Sequence, residues 1–220
     1  MVSIVPEKAN DRRPLKTRSA AWAGVVSRLF LRLGFRPDGV SLFGILFATL
    51  AGAAILYAPH SPHPWIFWLL GAIGVQCRLL CNMLDGMLAV EGGLKSPLGE
   101  LFNELPDRLE DALILVPLGY AGGTDLGIAL GWAAACGAIA TAYLRAMGAG
   151  ITGHHDFRGP MAKPHRMAAV TLLCLFMLGF DLANVNFPLP EYGLSVIVLG
   201  IAITCYRRIR LLARTLTEKP

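Results

Sequence analysis

Residues 82–107 read NMLDGMLAVEGGLKSPLGELFNELPD, and this stretch places acids and amides inside an otherwise apolar chain. Spacings of four and three residues put Arg78, Asn82 and Asp85 on one helical face. After a break at EGGLKSP (residues 91–97), a second row with a spacing of four residues follows, comprising Gly99, Asn103, Asp107 and Asp111. The stretch therefore predicts two consecutive helices, joined by a short turn, whose polar faces lie near each other.

The composition around this stretch is that of a membrane protein. Of the 220 residues, 55% are hydrophobic and 16% are charged, whereas a soluble domain carries roughly a quarter charged residues. Six segments are long and apolar enough to cross a bilayer: residues 40–58, 66–88, 98–120, 126–147, 167–184 and 191–206. None alternates as a barrel strand would, so the chain is expected to be an all-α integral membrane protein with six transmembrane helices.

An amphipathic helix is predicted to precede the first span, because residues 20–34 have one apolar stripe and carry Arg28 and Arg32 on the other face. Such a helix lies in the membrane interface, where it either orients the protein or guides a substrate. Three regions are expected: a cytoplasmic N-terminal segment at 1–36, a transmembrane catalytic domain at 37–206 and a basic cytoplasmic tail at 207–220.

The net charge of +5 is distributed unevenly. Three short loops contain no Lys or Arg: residues 59–64, 121–125 and 185–190. Nearly all basic residues lie in the N-terminal segment and in residues 90–97, 151–166 and 207–220. This asymmetry predicts that both termini and the polar stretch face the cytoplasm. The basic residues are better explained by topology and anionic lipid headgroups than by a nucleic-acid partner.

The polar stretch has the composition of a metal site. Asp85 and Asp107 come from consecutive helices near one membrane surface, and two carboxylates that close repel unless a cation or proton lies between them. A set of oxygen donors favours Mg²⁺, Mn²⁺ or Ca²⁺ over zinc. Arg145, Lys163 and Arg166 could hold a phosphate group beside the metal. The alternative is a buried network that only joins two helices.

The stretch resembles the signature of the CDP-alcohol phosphotransferase family, DxxDGxxAR followed by eight or nine residues and GxxxDxxxD. Its counterpart here is Asn82-x-x-Asp85-Gly86-x-x-Ala89-Val90, eight residues, and Gly99-x-x-x-Asn103-x-x-x-Asp107. Outside the signature, segment 37–44 is similar to the start of the first span in family members. Segments 141–148 and 159–167 are similar to segments of those members that use a phosphorylated acceptor. The resemblance implies transfer of a phosphatidyl-type group from a CDP-linked donor, most simply CDP-diacylglycerol, to an alcohol, with release of CMP.

The resemblance also implies roles for individual residues. Asp107 would be the catalytic base or would orient the acceptor hydroxyl. The implied ligands of two Mg²⁺ or Mn²⁺ ions are Asp85, Asp107, Asn82 and Asn103, with Glu104 and Glu100 as further candidates. The implied donor-nucleotide residues are Asp38, Asn82, Asp85, Gly86, Ala89 and Gly99. The cations Arg145, Lys163 and Arg166 favour a phosphorylated acceptor such as glycerol 3-phosphate or an inositol phosphate, although topology alone would also place cations there.

The chain departs from the family pattern at three positions. Asn82 and Asn103 offer neutral oxygens where the family has acids, and Val90 stands where it has Arg. With only two signature carboxylates, the centre is expected to bind metal more weakly. Glu100 and Glu104 could compensate if the helix is distorted at Pro106. Arg78 could replace the missing arginine, but pairing with a neighbouring acid is the favoured interpretation.

Two other functions compete with the transferase. The departures could mark a non-catalytic relative that binds a CDP-lipid or serves as a partner subunit of a membrane lipid enzyme. A small transporter is less consistent with the sequence, because the polar cluster lies near one face and no inverted repeat is visible. The expected partners of the transferase are the lipid donor, the alcohol acceptor and membrane lipids, and the family resemblance implies a homodimer. The expected location is a bacterial inner membrane.

Overall fold

The computed structural model describes residues 21–94 and 98–218, and the regular structure in these residues is helical. The α-helices are, in chain order, α1 (Ala21–Arg32), α2 (Pro37–Tyr57), α3 (Pro64–Glu91), α4 (Gly99–Ala121), α5 (Asp125–Thr152), α6 (Lys163–Leu182) and α7 (Leu189–Thr217). A short 3₁₀ turn at Ala58–His60 follows α2. The all-α prediction is confirmed for this part of the chain, and α7 continues past the predicted end of the last span at residue 206.

The helices form a bundle in which α4 lies between α2 and α5, while α3 lies between α2 and α6. Helix α7 packs mainly on α5. The apolar core contains Trp68 of α3, Leu118 of α4, Val170 of α6 and Ile197 of α7, all of them almost fully buried. This core fixes how α3, α4 and α6 lie relative to each other.

Glycines allow the backbones of α4 and α5 to touch. A Cβ atom on Gly131 of α5 would lie 2.9 Å from the carbonyl oxygen of Leu115 in α4, and one on Gly127 would lie 2.8 Å from the carbonyl oxygen of Gly119. A larger residue at either position would collide with main-chain atoms. The small residues of α5 therefore allow close contact between the two helices.

Four helices are long and apolar enough to cross a membrane, in the segments Pro37–His60, Pro64–Val90, Asp125–Thr152 and Lys163–Leu182. They correspond to α2, α3, α5 and α6, and they indicate a membrane protein. Helices α4 and α7 occupy the remaining predicted spans without meeting the same criterion within the described residues. In α4, charged residues between Glu104 and Asp111 interrupt the apolar sequence. Four of the six predicted spans are thus candidate membrane spans by length and composition, and six transmembrane helices remain a prediction.

Helix α1 divides the apolar stripe predicted for residues 20–34 between two surfaces. Val26 and Phe30 pack against a small apolar cluster that includes Met83 and Leu88 of α3. The other apolar residues, Trp22, Val25, Leu29 and Leu33, are each at least half exposed. The structure thus confirms a helix here, whereas its place at the membrane interface remains a prediction.

Candidate active site

Asp107 of α4 is the point at which three helices meet. Its carboxylate oxygen Oδ1 accepts a hydrogen bond from the side-chain amide of Asn82 in α3 at 2.9 Å. The same oxygen accepts a hydrogen bond from the ammonium group of Lys163, the first residue of α6. The guanidinium of Arg108 lies 3.4 Å from the other oxygen, Oδ2. Asp107 is only 6% exposed, so its charge is balanced by groups inside the bundle.

Asp85 of α3 is the second buried carboxylate, and it is 5% exposed. Its Oδ2 atom accepts a hydrogen bond from the Ser41 hydroxyl of α2 at 2.8 Å, and its Oδ1 accepts one from the Gly86 backbone N–H at 2.5 Å. Asp85 lies one helical turn after Asn82, whose side-chain amide binds Asp107. The polar face of α3 that carries Asp85 is therefore the face that binds Asp107 of α4.

Arg78 connects α3 to the acids of α4 in the interior of the bundle. Its Nε atom donates to Glu110 Oε2 at 2.5 Å, and its Nη2 atom donates to Asp111 Oδ1 at 3.1 Å. Asp107 Oδ1 lies 3.6 Å from the same Nη2 atom. Arg78 is completely buried. The favoured interpretation, in which Arg78 pairs with neighbouring acids, is confirmed.

Arg166 of α6 also binds partners inside the bundle. One of its guanidinium nitrogens binds the carboxylate of Asp111, and another donates to the carbonyl oxygen of Met161 at 3.2 Å. The residue is 1% exposed. Lys163 and Arg166, one helical turn apart on α6, thus bind Asp107 and Asp111, one turn apart on α4.

Arg145 lies at the more exposed side of the cluster. It binds Glu104 at 2.5 Å, and Arg108 approaches the same carboxylate at 3.4 Å. The guanidinium carbon of Arg145 lies 5.5 Å from the ring centre of Phe157, a cation–π arrangement. The Glu104 side chain is 43% exposed and that of Arg145 is 16% exposed. Glu104, a candidate metal ligand, is thus held by two arginines.

The remaining predicted residues lie around these carboxylates or outside the described side chains. Asp38 is in the first turn of α2, and Gly86 and Ala89 are half-buried on α3. Gly99 begins α4, and a Cβ atom added there would meet nothing within 4 Å. The side chains of Glu100 and Asn103 lie outside the part of the molecule that the structure describes.

Some residues of the site were not assigned from the sequence. Ser41 comes from α2, 44 residues before its partner Asp85, so no local spacing pointed to it. Glu110 lies off the signature row. Asp111 continues the row of Gly99, Asn103 and Asp107, and this spacing was the one feature of the sequence that could have assigned it to the site. Arg108 contacts both Glu104 and Asp107, and its buried Nε atom has no partner within the described chain.

The donor set can be tested for its fit to a divalent cation. Among the described residues, no group of three or more His, Cys, Asp or Glu side chains is arranged to hold a metal. Asp85 and Asp107 still provide hard oxygen donors, and a carboxylate oxygen that accepts one hydrogen bond keeps a free lone pair. Carboxylate oxygens of this kind are the ligands that Mg²⁺ and Mn²⁺ prefer, and the Asn82 amide binds one of the two carboxylates, that of Asp107.

Sequence comparison identifies relatives among lipid-synthesis enzymes, although no protein-family model matches the chain. It is 28% identical over 194 residues to the phosphatidylinositol phosphate synthase of Mycolicibacterium smegmatis, covering 84% of this chain and 80% of the relative. The synthase of Mycobacteroides abscessus is 26% identical over 188 residues, with coverages of 81% and 77%. A bifunctional IPC transferase and DIPP synthase of Rubrobacter xylanophilus is 37% identical over 110 residues, which span 50% of this chain and 23% of that longer protein.

Two crystal structures of the phosphatidylinositol phosphate synthase of Mycobacterium tuberculosis share the fold. The structure with CDP-DAG bound has a TM-score of 0.69 at 22% identity and covers 88% of this chain and 94% of that one. The complex with manganese and citrate has a TM-score of 0.68 at 22% identity, with coverages of 86% and 88%. The predicted relationship to transferases is confirmed: the homologues of this chain are enzymes of the CDP-alcohol phosphotransferase family.

Proposed function

We propose that this protein is a membrane transferase that moves a phosphatidyl group from CDP-diacylglycerol to a phosphorylated alcohol and releases CMP. The observation that carries the proposal is the buried carboxylate of Asp107, bound by Lys163 of α6 and by Asn82, which lies one helical turn from the buried Asp85 on α3. Support also comes from the fold, which is that of a synthase with CDP-DAG bound. Buried acids beside buried cations are costly in a membrane protein and usually mark a functional site.

The donor would bind where α2, α3 and α4 meet. A divalent cation held by Asp85 and Asp107, with Asn82 and Asn103 nearby, would neutralise the diphosphate and make CMP a better leaving group. Manganese in the related synthase supports such an ion. The other proposed donor-site residues are Asp38, Gly86, Ala89 and Gly99. The open space around Gly99 leaves room for a nucleotide to approach the backbone.

Asp107 is the residue that we assign to proton transfer. Its carboxylate is oriented by the Asn82 amide and the Lys163 ammonium, so one oxygen is fixed while the other faces Arg108. A carboxylate held in this way can accept the proton of the acceptor hydroxyl as its oxygen attacks the phosphorus. The phosphoanhydride bond to CMP then breaks, and CMP leaves with the bonding electron pair.

The acceptor would be an anion such as glycerol 3-phosphate or an inositol phosphate. Arg145 and Lys163 have partly exposed side chains and can reach a phosphate. Arg166, the third predicted cation, is buried against Asp111, so we propose that it fixes α6 and thereby positions Lys163. Glu104 is held by Arg145 and Arg108, and we propose that it positions Arg145 rather than binding a metal ion.

The proposed setting is a bacterial inner membrane, with α4 and α7 as two further membrane-crossing helices and α1 at the interface. The exposed apolar residues Trp22 and Leu29 of α1 support the interfacial position. The cluster lies at the end of the bundle that carries the basic 151–166 loop, so the active site and both termini would face the cytoplasm. The regions proposed are 1–36, 37–206 and 207–220, assembled as a homodimer.

The test is an assay of CMP release by the purified protein in lipid nanodiscs. CDP-diacylglycerol and Mn²⁺ or Mg²⁺ are supplied with glycerol 3-phosphate, an inositol phosphate, or free glycerol and inositol as uncharged controls. We expect CMP release with a phosphorylated acceptor, and the mass of the lipid product identifies which one. No CMP release with any acceptor, together with retained binding of CDP-diacylglycerol, would instead support a non-catalytic CDP-lipid-binding protein or partner subunit. The amides at Asn82 and Asn103 are the observation that favours this second function.

A further inference from the structure

We propose that Lys163 and Asn82 take the place of one divalent cation at Asp107, so that the centre holds one metal ion instead of two. The inference rests on the proposed function, since it concerns the metal content of that active site. It accounts for the amide at position 82 as the partner of a carboxylate that is already paired with an ammonium group, and it makes Lys163 a positioning residue of the centre.

One carboxylate oxygen of Asp107 is already bound by two donors of the protein itself. A single oxygen, Oδ1, accepts hydrogen bonds from both the Asn82 amide and the Lys163 ammonium, which uses the two lone pairs of that atom. An aspartate at position 82 could not donate such a bond and would repel Asp107. The amide is thus suited to a carboxylate whose positive partner is an ammonium group already present in the protein.

The acidic and basic side chains of the cluster balance each other in charge. The described ion-pair network and Asp85 together contain five acids and five bases: Asp85, Glu104, Asp107, Glu110, Asp111, Arg78, Arg108, Arg145, Lys163 and Arg166. These charges cancel before any ion binds. A diphosphate donor would add two negative charges, which one divalent cation neutralises. Until the acceptor phosphate binds, a second ion would leave two uncompensated positive charges in a poorly solvated interior, where such charges are costly.

The surroundings of Asp85 indicate where the one ion would bind. The donors that contact its carboxylate within the described residues are neutral, namely the Ser41 hydroxyl and the Gly86 backbone N–H. Its negative charge is therefore not cancelled by a direct ion pair, in contrast to that of Asp107. Lys163 retains further N–H donors after binding Asp107, so it can also contact an acceptor phosphate.

The experiment counts Mn²⁺ ions bound by the full chain in nanodiscs, with Mn²⁺ alone as the probe and the electron paramagnetic resonance signal of free Mn²⁺ as the readout. We expect one ion per chain in the wild type. Lys163→Met removes the competing charge and is expected to tighten Mn²⁺ binding at least about tenfold, the gain that the coulombic repulsion between an ammonium group and a nearby divalent ion gives even when water screens it. Lys163→Arg keeps the charge and is the matched control, with binding as in the wild type. The double variant Asn82→Asp/Lys163→Met is expected to bind two ions.

A gain in binding cannot result from unfolding, which makes the direction of the change decisive. Two Mn²⁺ ions per wild-type chain, or no tightening in Lys163→Met, would overturn the inference while leaving CMP release and the proposed function intact. No Mn²⁺ bound by any variant would overturn the inference, and if CMP release were absent as well, the proposed function would also be contradicted.

Discussion

Arg78 of α3 and Glu110 of α4 form an ion pair of 2.5 Å between side chains that are 0% and 3% exposed. Asp111 shares the same guanidinium at 3.1 Å. This pairing joins the two helices that carry the signature residues, and it lies next to Asp107. The acids that would bind substrate and metal are therefore supported from the interior of the bundle by an arginine that no substrate can reach.

The first prediction concerns this support. Arg78→Met would leave the buried Glu110 without its cation and would remove one of the two cations that bind Asp111. The free energy of unfolding should therefore fall by about 3–5 kcal/mol. Chemical unfolding in detergent micelles measures the change. Arg158→Met is the control, because its ion pair with Asp156 involves a side chain that is 73% exposed, and such pairs contribute less than about 1 kcal/mol. Equal losses in the two variants would refute the prediction.

The second prediction concerns the contact between α4 and α5. Gly131→Ala would place a methyl group 2.9 Å from the Leu115 carbonyl oxygen, and overpacking of this kind costs about 1–3 kcal/mol. Gly148→Ala lies in the same helix with no atom within 4 Å of the new Cβ. This control should be neutral or stabilising by up to about 1 kcal/mol. The prediction fails if thermal unfolding does not distinguish the two variants.

The third prediction separates two roles for Glu104. Glu104→Gln would weaken the contact that holds Arg145, and the KM for the phosphorylated acceptor should rise roughly tenfold, as expected for loss of a charge-assisted hydrogen bond of about 1.5 kcal/mol. The Mn²⁺ concentration that gives half-maximal CMP release should not change. A shift in that concentration with an unchanged acceptor KM would mean that Glu104 is a metal ligand after all.

The fourth prediction concerns Asp107 as the proton acceptor. Asp107→Asn keeps the shape of the side chain but removes its basicity, so the rate of CMP release should fall by about 10²–10⁴-fold. Asp125→Asn, an exposed position at the opposite end of the bundle, should retain the wild-type rate. Both proteins should elute as monodisperse species in size-exclusion chromatography. A rate for Asp107→Asn within a few-fold of the wild type would exclude the assigned role.

The helices could be predicted because their apolar segments are long and their polar residues recur with helical spacing. The same spacing placed Arg78, Asn82 and Asp85 on one face, and it indicated that Arg78 would pair with an acid. The partners of Lys163 and Arg166 were beyond prediction, because the acids that a basic loop reaches depend on how α6 lies against α4. Ser41 illustrates the same limit, since its contact with Asp85 arises from packing of α2 on α3.

The ion pairs Lys163–Asp107 and Arg166–Asp111, which join α6 to α4, have a mechanical consequence. The two ion pairs are one helical turn apart on both helices, and together they prevent α6 from sliding along α4. The first turn of α6 and the middle of α4 then move as a single body. We expect the motion that admits a lipid donor to occur at α1, whose described packing against α3 is apolar.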